Sequence, residues 1–424
     1  MKRPRALAPL SEPGFGRLSS AYLVNELGNW LGEVALAIVV FDQTGSPLAV
    51  AGLFIAMQFA PALATPPLIA RIDAVATRKA LAGLYCAEAV AFLALAALAQ
   101  GGALALALIM LIAAIDGTLA TAARARSRAA GAAILQPAGL LREGNAILNF
   151  WFTAAAAAGP ALAGLVVTVA GARVALLADA VTFLAVAAVL ATSVDLPGAV
   201  ESAEEGWGMR LRRGLTYARE LPVLRRLLTA EALAFVFFAL VLPIEVAFAK
   251  DTLGSGDAGY GLLLAAWGTG MVAGSVAFGT LSGTSLRALL GFGTLAIGIA
   301  YCGTGLSPNL LVACLFSALG GAGNGLQWVA LVTAVQAVTA SEFQARVVGL
   351  LESLASGASG LGFVLGGAVA ALLTPREAYV VAGVGVLVVL ALAASRLRQA
   401  RFEPGPGGSA APTAAQPEEA AGTI

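Results

Sequence analysis

Twelve apolar runs follow one another along the chain, each close to the roughly 20 residues that a helix needs to cross a bilayer's hydrocarbon core. They fall at approximately 18–41, 47–70, 80–99, 103–122, 146–169, 174–193, 227–249, 258–281, 287–305, 309–334, 347–372 and 378–395. With no water in that core, each run must close its own backbone hydrogen bonds, so each is predicted to be a helix. The composition, 59% hydrophobic and 12% charged over 424 residues, excludes a soluble globular domain. The expected fold class is an all-α membrane protein. The first run is too long for a signal-peptide core and is expected to stay uncleaved.

That first run also carries Asn25, Glu26, Asn29 and Glu33. At about 100° per residue they share one quadrant of a helix, beside a stripe holding Gly28 and Gly32. A carboxylate at mid-bilayer costs about 2.5 to 3.5 kcal/mol on insertion scales, so this face must meet a wet cavity or partners. Histidine is absent, which leaves carboxylates as the titrating groups within the membrane. Cys86, Cys302 and Cys314 lie far apart inside apolar runs, without metal-ligand spacing. Neither metal nor cofactor is expected. An intramembrane enzyme would need a nucleophile with a base, or a metal cluster, and the sequence offers no Ser/Lys or paired-Asp motif for one.

An even number of spans puts both termini on one side. If that side is cytoplasmic, it holds all 25 Lys and Arg except Arg173, Lys250 and Arg376, as the positive-inside rule requires. The longest internal polar segment divides the spans six and six. The domains therefore read as an N-terminal six-helix bundle over 1–194, a cytoplasmic linker over 195–226, a C-terminal six-helix bundle over 227–395 and a tail over 396–424. The linker opens acidic with Glu201, Glu204 and Glu205, then turns basic and amphipathic from Trp207 to Leu228, interrupted by Pro222. That pattern suits either a surface helix on the headgroups or a linker whose arginines stop transfer. The Pro-, Gly- and Ala-rich tail is predicted to be disordered.

Residue-level motifs then point to a family. FDQTGSPLAVA at Phe41 to Ala51, the long stretch from Leu135 to Gly164, LADAVTFL at Leu177 to Leu184 and the segment Gln336 to Leu350 resemble the drug-exporter-like branch of the major facilitator superfamily, which includes macrolide and siderophore exporters. The resemblance implies twelve transmembrane helices in two six-helix bundles, alternating access and a cell-membrane location. ARIDAVATRK after the second span resembles the superfamily's signature loop, with Asp73, Arg78 and Lys79 matching and Ile69 and Ala74 departing from it. Asp73 is positioned to pair with Arg124 or Arg126 of the loop after the fourth span. Gly159 and Pro160 with Gly164 resemble the antiporter motif, in which small residues let helices approach and proline frees a carbonyl. Ala155 and Ala163 stand where that motif usually has glycines. As a plain alternative, the pair is a common membrane-helix kink.

The coupling-proton candidates are Glu33, Glu26, Glu88, Asp179 and Asp116, with Glu33 and Glu88 nearest mid-depth. Glu231, Glu245 and Glu352 complete the buried ionisable set. No arginine is expected mid-membrane in the fourth span. Substrate-cavity candidates are Asn25, Asn29, Trp30, Gln58, Phe59, Trp267, Asn324, Gln327 and Trp328, aromatics giving apolar contact with a polar handle. The stripes at Gly270 and Gly274, at Gly362 and Gly366, and the cluster Gly320, Gly321, Gly323 and Gly325 read as packing seams, with a polar-lined bend at the last as the other reading. The expected function is secondary active export of a small amphipathic or hydrophobic compound by proton antiport. A lysolipid flippase on the same fold is the rival. The expected partners are a small-molecule substrate, protons and the lipid bilayer, with no nucleic acid and a monomeric state.

Overall fold

The computed structural model describes residues 5–72, 75–192, 196, 207–281, 283–340 and 343–397. Asp73, the acidic opening of the linker and the tail beyond Leu397 lie outside these residues. Among the described residues every regular element is helical. A short 3₁₀ turn, Arg5–Ser11, leads into α1 (Phe15–Thr44), α2 (Pro47–Phe54), α3 (Ala60–Ile72), α4 (Thr77–Leu98), α5 (Ala103–Leu135), α6 (Leu141–Ala170) and α7 (Ala172–Ala191). After the linker come α8 (Trp207–Glu220), α9 (Pro222–Ala247), α10 (Gly256–Thr280), α11 (Leu286–Gly305), α12 (Leu310–Val338), α13 (Gln344–Leu372) and α14 (Pro375–Leu397).

Eleven described helices are long and apolar enough to cross a membrane. The twelfth span is α2 and α3 joined by a π turn, Ile55–Phe59. Its cause is Pro61, which has no N–H for the Met57 carbonyl one turn earlier and crowds it sterically. The displaced carbonyl lies against Gly117 of α5, where any Cβ would overlap it. Counted this way, the described residues hold twelve spans, six on either side of the linker, close to the boundaries that hydropathy predicts.

One boundary differs, and it matters. The fourth span does not stop at residue 122: α5 continues to Leu135 through a segment rich in alanine and arginine, strong helix formers whether or not lipid surrounds them. Hydropathy reports the bilayer, whereas propensity reports the helix. Arg124 and Arg126 are consequently helical instead of in a loop. In the linker, α8 is one amphipathic helix ending at Glu220, and Pro222 opens α9 at its first turn, where its missing N–H costs nothing.

The helix ends define a near face, where α1 begins, and a far face, where α1 ends. Each half makes its first far-face turn through Gly-Ser, Gly45–Ser46 and Gly254–Ser255, with both glycines left-handed at φ 57° and 60°. Two seams join the halves. In the first, α6 runs against α10. Pro160 leaves the Ala156 carbonyl without its helical donor, and that carbonyl faces Gly268, while the Pro160 carbonyl faces Gly261. A Cβ on Gly164 would stand 2.9 Å from the Gly261 Cα, so only glycine lets these backbones meet. In the second seam, α2 and its π turn pack on α13 through Leu48 beneath Gly367, a Phe54–Phe363 ring pair 5.5 Å apart and Phe59 over Gly360. Both seams run through the half of the molecule toward the far face.

Candidate functional site

The polar face of α1 meets three helices. Glu26 is buried, and its Oε1 lies 3.4 Å from the Arg124 Nε of α5. Arg124 thus lies against Glu26 of α1, a pairing that sequence reasoning did not assign, while Asp73, the partner expected for it, lies outside the described residues. Arg126, two residues on and on another face of α5, donates to the Val75 carbonyl at 2.8 Å and so holds the signature loop against the helix. In that loop Arg78 is half-buried and Lys79 exposed.

Behind α1, its small stripe receives a second acid. A Cβ on Gly28 would overlap Asp179 and Thr182 of α7, and one on Gly32 would stand 2.6 Å from Asp179 Oδ2. Thr182 donates to Asp179 Oδ1 at 3.1 Å, while Oδ2 has no hydrogen-bond partner among the described residues. Glu88 of α4 and Asp116 of α5 are buried within electrostatic reach of Asp179. Among the described residues neither oxygen of Glu88 has a donor, and Asp116 Oδ1 has none either. An anion left so in a dry interior costs several kcal/mol, so this trio is the least compensated polar cluster among the described residues. No group of acids with metal-holding geometry occurs among the described residues.

Glu33 differs from the other four acids. It is half-buried where they are buried, and it lies within electrostatic reach of Arg124 and Glu26 in its own half and of Tyr260 on α10 in the other. Asn25 is buried and Asn29 half-buried alongside it. Trp30 packs on Gly159 of α6, where an added Cβ would stand 2.7 Å from the indole's own Cβ.

The remaining cavity candidates scatter. Gln58 and Phe59 are exposed on the π turn. Trp267 is packed inside the C-terminal half, stacked 5.4 Å from Tyr301 and tilted against Phe238. Trp328 stands edge-on to Phe235. Gln327 is buried and donates to Glu231 Oε2 at 2.6 Å, so its amide bonds within the C-terminal half, while Asn324 is half-buried on the same helix. The glycines near Asn324 are a packing seam: Gly321 and Gly325 lie on the Trp267 and Met271 carbonyls of α10, while α12 runs unbroken.

Sequence reasoning missed a cluster at the far face. Lys250, in a π turn ending α9, donates to Asp42 of α1 at 2.5 Å and to Asp257 of α10 at 2.6 Å. One cation thus bridges the two halves directly above the seams. The signal was present, since Lys250 is one of only three cations on that side.

These features fit a known architecture. The profile of the transmembrane secretion effector family matches residues 5–407. The chain belongs to that family. It is a membrane transporter of the major facilitator type, and solved structures carry the same fold. The nucleoside transporter NupG aligns with a TM-score of 0.70 at 13% identity, over 91% of this chain and 99% of that one. A bacterial homologue of the human lysosomal transporter Spinster, inward-facing and unoccupied, gives 0.69 at 14% over 96% and 100%. A bacterial homologue of the iron transporter ferroportin, also inward-facing, gives 0.68 at 16% over 91% and 98%. Among curated proteins none matches.

Proposed function

We propose that this major facilitator transporter exports a small amphipathic or hydrophobic compound across the cell membrane in exchange for protons, with both termini cytoplasmic, as a monomer. The bundles over 1–194 and 227–395 rock about the two seams. The near face is then the cytoplasmic one, and a far half sealed by both seams and the Lys250 bridge is the inward-facing arrangement.

The observation that carries the reading is Glu33. Alone among Glu26, Glu33, Glu88, Asp116 and Asp179 it is incompletely enclosed, and it lies within electrostatic reach of Arg124 and Glu26 in its own half and of Tyr260 in the other. Rocking changes what such a group faces, so its proton can be taken from one side and released to the other. A proton descending about 100 mV releases about 2.3 kcal/mol, enough for roughly a fifty-fold substrate gradient. Glu33→Gln keeps the side chain's size and cannot ionise. In proteoliposomes given a proton gradient it should lose uphill export while retaining substrate binding and downhill exchange. Wild-type uphill pumping by the variant would remove Glu33 from this role and move attention to Glu88 and Asp179.

A further inference from the structure

The seam between α2 and α13 ends abruptly. Its last contact is Phe59 on Gly360, and one turn nearer the near face a Cβ on Gly357 would find nothing within 4 Å. Below that point lies a groove of about 500 Å³ between α9 and α13. Ala232, Leu233, Val236, Leu354, Ala358 and Leu361 give it an apolar wall. At 1.5 Å per residue, the stretch of α13 lining it, Leu350 to Leu361, is about 16 Å long, matching the roughly 15 Å depth of one hydrocarbon leaflet.

The near-face end of this groove is different. There α8 crosses it, contributing Arg219, and α9 contributes Arg225. Both arginines are exposed, and among the described residues neither is in an ion pair and no acidic side chain lines the groove. The shelf that carries Arg219 is rigid. Tyr217 of α8 stacks on Phe343 at 4.2 Å, its hydroxyl accepts the Ala340 N–H at 3.0 Å, and Gly214 lies against the Arg346 carbonyl on α13. Two exposed cations at the near-face end of a leaflet-deep apolar trough are complementary to one class of molecule.

We propose that this groove binds a phospholipid of the surrounding bilayer that carries an anionic headgroup. The headgroup sits at Arg219 and Arg225, and one acyl chain lies along α9 and α13 past Gly357 to Leu361, beneath the Phe59–Gly360 contact. This site is separate from the α1 acids and holds whatever the cargo is.

The test uses the full-length protein in detergent micelles and native mass spectrometry, with phosphatidylglycerol and phosphatidylcholine of matched chains as probes. Wild type should retain phosphatidylglycerol about 30-fold over phosphatidylcholine, equivalent to about 2 kcal/mol from two arginines. Arg219→Gln with Arg225→Gln should bring the two lipids to near equality. Arg212→Gln, on α8 but outside the groove, should leave the preference intact. Gly357→Leu, which extends into open space without meeting the fold, should weaken both lipids several-fold. The proposal is overturned by a wild type without preference, by a preference surviving the double substitution, by an equal loss in Arg212→Gln, or by Gly357→Leu binding both lipids normally.

Discussion

The interiors of the two halves are built from different material. In the N-terminal half, Glu88, Asp116 and Asp179 are enclosed with oxygens that no donor reaches, and Glu26 faces Arg124 without a well-aligned hydrogen bond. In the C-terminal half the buried acids have named partners: Gln327 donates to Glu231, and Glu245 faces the Tyr379 hydroxyl. Around them runs an aromatic lattice from Trp328 through Phe235, Phe238, Trp267, Tyr301 and Tyr379 to Phe248. One half keeps polar groups uncompensated; the other satisfies them and packs rings. Uncompensated groups cost stability, so under the proposed proton exchange they belong in the N-terminal half, while the ring-packed half would serve as the stiffer body.

The sharpest way to break this contrast is to remove the centre of the lattice. Trp267 touches Tyr301, Phe238 and the backbone at Gly320 and Gly321. Trp267→Ala should therefore lower stability by about 3 kcal/mol, the lower end for such truncations. Thermal unfolding in detergent reads this directly, and an unchanged midpoint would mean that the lattice is not a stiffening element.

A smaller effect tests the acids as opposites. Glu231→Leu strands the Gln327 amide and should cost about 2 kcal/mol, whereas Asp179→Asn, which replaces a group short of donors with a neutral isostere, should cost less than about 0.5 kcal/mol. Transport should respond in the reverse order, Asp179→Asn losing more activity than its stability explains. Equal destabilisation by the two would erase the distinction between the halves.

The smallest expected effect is at the bridge between them. Asp42 is largely exposed, and an ion pair of that kind contributes about 1 kcal/mol at most, so Asp42→Asn should shift the balance toward the far-open arrangement by roughly five-fold. Labelling rates of a cysteine introduced at Ala51, which the α2–α13 seam buries against Gly367, would report that shift. No change would mean that the glycine seams alone hold the far side shut.

Much of the fold was legible because the bilayer imposes a single rule. Twelve apolar runs had to become helices, and the observed elements follow them within a few residues at most ends. The site was legible only in part. Asn25, Glu26, Asn29 and Glu33 stood out because charge and amide in an apolar run are conspicuous on their own, and the Gly28–Gly32 stripe marked a close approach. What the approach admits, the Asp179 carboxyl, was not legible. Similarly, Gln327 and Trp267 qualified as cavity residues by depth and polarity, yet one bonds Glu231 and the other stacks on Tyr301.

By itself, the sequence determined what each residue must avoid: apolar runs avoid water, prolines leave carbonyls without donors, and buried acids avoid isolation. These are local demands, readable from residue type and spacing. Only the tertiary structure decided which partner meets each demand: the Ala156 carbonyl against Gly268, Glu26 against Arg124, Lys250 between Asp42 and Asp257. Such pairings join residues as many as 208 positions apart, and helix-on-helix packing, where the presence of one Cβ sets how close two backbones come, is what selects among them.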